Sequence, residues 1–230
     1  QYLPGIAAGD ATATVAFVEP SGRWDASGIE MVAHQQGDGF ILNGTKTFVI
    51  DGHTADLLIV AARRDGSQGV EGVHLFVLPA NTPGIEPRLL PTMDQTRKQA
   101  QIILRDVRVP AAALIGNQGD GWPILSQTLD LAAVALSAEQ LGGAQRCLDM
   151  SVDYAKQRVQ FGRPIGSFQA IKHKCADMLL RVESARSASY YAGWAASVQN
   201  PELPALASLA KAYCSDAYFH CAAETLQIHG

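Results

Sequence analysis

The hydrophobic pattern of this chain changes period once, near residue 115, and that change limits the fold more than any other feature. Up to about Pro110 short β-rich runs alternate with turn signals: Ala11–Val18, Phe40–Leu42, Thr45–Ile50, Leu57–Ala61, Val73–Leu78 and Gln101–Leu104, punctuated by Gly52, Gly66, Gly69 and Pro83-Gly84. Short, regularly spaced strands with no helix-length stretch between them predict an antiparallel barrel or sandwich and argue against a parallel βαβ sheet. Asn43-Gly44, set between two such runs, is the strongest short hairpin signal in the chain.

From Asp120 the pattern turns helical. Asp120–Arg158 carries Leu125, Leu129, Ala132, Leu136 and Cys147 on a roughly helical stripe with few charges, which predicts a helix buried in a bundle. A loop, Phe161–Gly166, precedes a second helix over about 167–199 with Ser167 as its N-cap. Asn200-Pro201 breaks that helix. A third helix runs to His229, with Gly230 as its cap. The expected fold is α+β: residues 1–115 as an antiparallel β-barrel or sandwich domain, then 116–230 as a long-helix up-down bundle.

Composition removes several functions. With 47% apolar and 17% charged residues the chain is globular. A net charge of −4, from 18 basic and 22 acidic residues, gives no broad field for a nucleic-acid backbone, though a local basic patch can hold one nucleotide cofactor. Cys147, Cys175, Cys214 and Cys221 form no C-x-x-C pair and read as free thiols in a reducing compartment, so the cytoplasm is the expected location. No apolar run is long enough to span a bilayer. Nor do the six histidines pair at metal-ligand spacing, and no metal is expected. The chain opens without Met and closes where a helix is ending, which reads as an internal piece of a longer protein.

One stretch is more specific. Arg158, then Phe161-Gly162, Pro164-Ile165, Phe168-Gln169 and Ala176-Asp177-Met178 resembles the signature of the acyl-CoA dehydrogenases. Glu19-Pro20, Asn43-Gly44-Thr45-Lys46, Asp106–Pro110, Gly119–Trp122 and Gln227–Gly230 follow in that family's order, so the resemblance covers essentially the whole chain. It implies the family's middle β-domain and most of its C-terminal helical domain, without the N-terminal helical domain. It also implies FAD held between domains, a homo- or hetero-oligomeric dimer or tetramer, and an acyl-CoA substrate. The implied reaction yields a trans-2-enoyl-CoA and passes electrons to an electron-transfer flavoprotein.

By the same resemblance Arg158 contacts the FAD pyrophosphate of a neighbouring subunit. A guanidinium suits that role, because it is always charged and its donors form a fixed fork. Phe161 belongs to the same motif, Phe168 and Gln169 lie along the adenosine, and Gln227 with Gly230 stands where backbone amides approach a phosphate. Val18, Phe48 and Ile50 occupy the flavin positions, with Phe48 able to cover the ring face. Trp24 and Asp130 fall on substrate positions. The catalytic glutamate is expected beyond Gly230; Glu139 reads as a packing or interface charge.

The chain departs from the family where Val18, Trp24 and Ile50 replace hydroxyl-bearing residues and where Ala133 stands in place of an arginine. Those departures motivate an alternative, a non-catalytic or half-site structural subunit of a heteromeric dehydrogenase.

Overall fold

A computed structural model describes residues 2–230, which divide into two compact units with the boundary between Leu125 and Ser126. After a short helix α1 (Leu3–Ala8), the first unit is built on β1 (Ala13–Ala16), β2 (Val32–Gln36), β3 (Gly39–Ile50), β4 (Leu57–Arg64), β5 (Val73–Pro79), β6 (Ile85–Leu90) and β7 (Gln99–Pro110). These form one seven-stranded sheet in the order β1-β4-β2-β3-β7-β6, with β5 on β4. Its core includes Phe40, Leu42, Leu58, Val60, Phe76, Ile102, Leu104 and Val107.

Two expectations need correction here. The sheet is mixed, because β1 and β2 both pair with β4 in parallel. The long excursions between those strands supply the crossovers, so no helical βαβ unit is needed, and strand periodicity alone carries no sign of direction.

Asn43-Gly44 is not a hairpin. β3 runs straight through it, and the turn before β3 is instead Gly37-Asp38, with Gly37 at φ 62°. Asn43 is held extended by its side chain: Asp106 donates its backbone N–H to Asn43 Oδ1 at 2.8 Å, and Asn43 Nδ2 donates to Asp106 Oδ1 at 3.1 Å. Long-range pairing overrides the local turn preference.

The β3–β7 ladder is offset twice. Between Leu42↔Val107 and Gly44↔Leu104 the extra residue lies on β7, where Asp106 has φ 50°. Between Lys46↔Ile102 and Val49↔Ala100 it lies on β3, where Phe48 has φ 54°. The two bulges cancel, so the register at both ends of the ladder is the same.

α2 (Gly121–Gln157) leads into the second unit, followed by a small hairpin of β8 (Val159–Gln160) and β9 (Arg163–Pro164), then α3 (Gln169–Ser197) and α4 (Leu203–His229). Contacts fix an up-down-up order. Ser137 meets Ser189, and Lys174 meets Glu224, so α3 is antiparallel to both others, while Gln140–Ser215 and Ser151–Thr225 set α2 parallel to α4. The shared seam contains Leu141, Ala144, Leu148, Met178, Val182, Ala185, Cys214, Ala217 and Cys221. Gly143 permits the approach of α4, since a Cβ there would lie 2.6 Å from the Tyr218 ring.

The predicted apolar stripe of α2 is only in part its packed face. Leu125 is buried and Cys147 packs against the bundle core, whereas Ala132 and Leu136 are exposed; within the bundle the buried positions are Ser137, Leu141, Ala144, Leu148, Ser151 and Ala155. Two serines on that face hid it from a hydrophobicity reading, because each hydroxyl finds a partner inside the bundle. Ser167 is not the N-cap of α3 either. It lies in a 3₁₀ turn, Ile165–Ser167, and donates to Pro164 O at 2.7 Å, while Phe168 occupies the cap position. Gly230 does end α4, at φ 110° with its N–H on Leu226 O. Among the described residues, no helix is long and apolar enough to cross a membrane.

His74 on β5 is buried among Phe40 and Phe76, and burial, then Arg64, pushes its pKa below the ordinary 6.5. The folded imidazole therefore refuses a proton that the unfolded chain accepts. Its stabilising contribution is complete above pH 6.5 and is lost as pH falls below that value. Urea unfolding from about pH 8 to about pH 5 is expected to show this loss, and His74→Phe is expected to flatten that part of the profile.

Candidate functional site

In the first unit the sequence-predicted residues gather where the chain leaving β1 crosses β3. Thr47 donates its backbone N–H to Val18 O at 2.8 Å, and Thr14 Oγ1 donates to Ile50 O at 2.7 Å. The bulge at Phe48 turns its ring out, 53% exposed, and Ile50 lies exposed on the same side of the strand. Val18 has a buried side chain, so it can meet a ligand only through its backbone. Trp24 is 65% exposed and packs edge-on against Phe17, with ring centroids 5.0 Å apart at 85°.

The loop bearing Trp24 is tied down by charges that sequence reading did not single out as site-forming. Glu19 Oε1 accepts from Lys46 Nζ at 2.6 Å, from Glu30 N–H at 3.0 Å and from Met31 N–H at 2.9 Å. Lys46 is fully buried. That burial pulls its ammonium below its ordinary pKa, against the opposing pull of Glu19. Arg63, also buried, donates to the carbonyls of Ile29, Ala26, Ser67 and Gly69. At the loop's turn Asp25 accepts from Ser27 N–H at 2.8 Å and from the Ser27 hydroxyl. The hydroxyl leads in holding the Asp25 carboxyl below its usual range. A buried charge has no sequence signature, since Lys and Glu read as surface residues unless paired.

In the second unit three helix ends converge. Arg158 closes α2 by donating its N–H to Tyr154 O, and then the chain makes a two-residue turn at Phe161-Gly162, with φ of 53° and 78°. Two central residues with positive φ define a type I′ hairpin. A bulky residue such as Phe rarely occupies that region, and this one is 90% exposed. Phe161 meets Phe168 edge-to-face with centroids 6.1 Å apart, and the Arg163 guanidinium sits 4.2 Å over the Phe168 ring. Gln169 opens α3, exposed beside them.

The end of α4 is drawn to the same place by Tyr154, which stacks on His229 at 4.2 Å and 25°. That contact brings Gln227 and Gly230 to the Arg158 end of the bundle. Arg163, Tyr154 and His229 were missed in the sequence. Arg163 had a signal, a cation directly after the Phe-Gly turn and so paired across it with Gln160. Asp130 stands apart on α2, half-buried, with burial pushing its carboxyl pKa up.

In the second unit, an exposed aromatic ring on strained backbone beside guanidinium groups at helix ends suits an aromatic nucleotide. Residues 14–107 match the family model described as acyl-CoA dehydrogenase, middle domain, and residues 119–230 that of the acyl-CoA dehydrogenase C-terminal domain. An acyl-CoA dehydrogenase of Bacillus subtilis is 37% identical over 236 residues, spanning 100% of this chain and 61% of the relative. A short-chain-specific acyl-CoA dehydrogenase of Megasphaera elsdenii is 35% identical, with the same two coverages. The solved structure of butyryl-CoA dehydrogenase from Megasphaera elsdenii matches with a TM-score of 0.95 at 35% identity, over 100% of this chain and 60% of that one.

The chain thus spans about three-fifths of the length of the relatives it matches. It belongs to the acyl-CoA dehydrogenase family, whose members are FAD-dependent flavoproteins. The residues present fit that cofactor: Phe48 offers a ring face and Arg158 a charged donor fork, while Gly230 leaves its backbone unshielded by a side chain.

Phe161 holds a strained conformation without burying its ring, so it is not there for stability. Phe161→Gly is expected to leave the stability of the chain within about 1 kcal/mol of the original. A buried phenylalanine trimmed to a small residue costs roughly 3–5 kcal/mol. Guanidinium unfolding, followed by far-UV circular dichroism, distinguishes the two.

Proposed function

We propose that the full-length protein is an FAD-dependent acyl-CoA dehydrogenase. It converts an acyl-CoA thioester to the trans-2-enoyl-CoA and passes the electrons to an electron-transfer flavoprotein. The observation that supports this best is the end of the second unit, where the Arg158–Gln169 stretch, with Phe161 edge-on to Phe168, and the end of α4, drawn to it by the stacking of His229 on Tyr154, come to the same end of the bundle. FAD, when bound, supplies the acceptor for the hydride that leaves the substrate β-carbon.

Each chain residue then has a defined task. Arg158 pairs with the pyrophosphate of the cofactor of a neighbouring subunit, since a planar fork matches two phosphate oxygens at once. Gln227 adds an amide donor, and Gly230 lets its backbone come close. Phe168 and Gln169 lie along the adenosine. In the first unit Phe48 covers one face of the flavin ring, while the backbones at Val18 and Ile50 face its edge. Trp24 and Asp130 contact the acyl-CoA.

The subunit arrangement in this reading is a dimer or a dimer of dimers. It rests on the family resemblance, in which Arg158 serves a cofactor presented by another copy; the exposure of Arg158 is compatible with that role.

In the full-length protein, Arg158→Lys is expected to raise the Kd for FAD about tenfold and Arg158→Ala about a hundredfold, because a point charge replaces the fork and then nothing does. Flavin titration of the apoprotein measures both. A purified full-length protein that shows no flavin absorbance, alone or co-purified with a partner subunit, overturns the assignment.

A further inference from the structure

Lys46 is the largest side chain buried outright in this chain. Burying a charged pair is unfavourable enough that apolar replacements of similar volume are often neutral or stabilising. The first unit already has a continuous apolar core, so packing does not account for Lys46 and Glu19. What the pair provides is direction.

One oxygen, Glu19 Oε1, gathers Lys46 Nζ and the N–H groups of Glu30 and Met31, closing residues 19–31 into a loop with a fixed base. Trp24 stands within that loop, and Arg63 holds its far side through the carbonyls of Ala26 and Ile29. Lys46 itself lies two residues before the outward-turned Phe48. The residue between them, Thr47, bonds Val18 O at 2.8 Å. Lys46 Nζ also reaches Phe17 O at 3.5 Å, the carbonyl just before Val18. Three positions offered to flavin and substrate, Val18, Trp24 and Phe48, are therefore fixed by one ion pair buried beneath the surface that a ligand would meet.

We propose that Glu19 and Lys46 are positioning residues for the flavin-facing edge of the first unit. They set the spacing between the Val18 backbone, the Phe48 ring and the Trp24 loop without touching the ligand. The proposal rests on the FAD reading above. An apolar pair could fill the same volume, but it could not hold two backbone N–H groups and a strand end in register with β3.

The test uses the full-length protein carrying Glu19→Gln together with Lys46→Met. The double variant removes both buried charges, and with them the ties from Lys46 to Glu19 and to Phe17 O that set the strand end, while a carbonyl oxygen left for the Glu30 and Met31 N–H groups lets the loop fold. Its apoprotein is expected to unfold within about 5 °C of the parent, since the two charges leave together. Its Kd for FAD is expected to rise about tenfold or more, with a visible flavin band broadened by looser seating. A Kd within about twofold of the parent and an unchanged band overturn the proposal.

If the double variant does not fold, Glu19→Gln alone is read in the same way. Failure of both to fold also overturns the proposal, because the pair would then be needed for the fold rather than the site. A parent protein that binds no FAD defeats the FAD reading and this proposal together. A parent that binds FAD beside an unaffected variant defeats the positioning role alone.

Discussion

The pairing of β3 with β7 governs what the first unit can present to a ligand. A strand twelve residues long with strict alternation would send Phe40, Leu42, Lys46 and Phe48 all to the same side. The bulge between Lys46 and Val49 breaks that parity, so Val49 takes the inward place and Phe48 turns outward. The complementary bulge at Asp106 restores the register, which lets Gly39↔Pro110 and Ile50↔Gln99 close the same ladder. An exposed ring is thus produced without an unpaired strand end. The positive φ angles at Phe48 and Asp106 are local strain retained because the rest of the ladder fixes them.

The second unit solves a related problem by other means. Its cluster is assembled from helix ends, where the regular backbone ladder stops and a turn can point a side chain away from the core. Tyr154 and His229 join α2 to α4, and the short return through Gly166 packs so closely on α2 that a Cβ there would lie 2.9 Å from Ala155 O. The hairpin tip is left projecting. Phe161 and Arg158 are both exposed, which is the disposition that the proposed FAD reading asks of them.

Much of this was legible in the sequence. The change of period separated strands from helices, and the helix breaks at Phe161–Gly166 and Asn200-Pro201 fell where the structure has them. The motif from Arg158 to Gln169 was legible as a motif because its members are near in sequence. Less visible was anything set by long-range pairing. Asn43-Gly44 reads as a turn until Asp106, 63 residues away, supplies its hydrogen bonds. The strands β2 and β6 escaped notice because His34, Gln35 and Gln36, like Glu86, Pro87 and Arg88, leave one face polar or interrupt the alternation. The Glu19–Lys46 pair was present as two motif letters, but nothing local marks a lysine as buried.

The departures from the family pattern look different once the backbone is considered. Val18 replaces a hydroxyl-bearing residue, yet its side chain is buried and its carbonyl bonds Thr47, so its contribution to the site is that of the main chain. Ile50 also engages its carbonyl, with Thr14, while its side chain lies outward on the same face of β3 as Phe48. Trp24 is likewise exposed. Replacing hydroxyls by Ile and Trp makes this part of the surface more apolar instead of removing its geometry. An apolar, aromatic surface exposed on a rigid sheet favours a flat ring or an acyl chain over water. On the proposed FAD reading, the substitutions would alter the affinity and selectivity of the edge, whereas its geometry comes from the bulge at Phe48 and the ion pair beneath it.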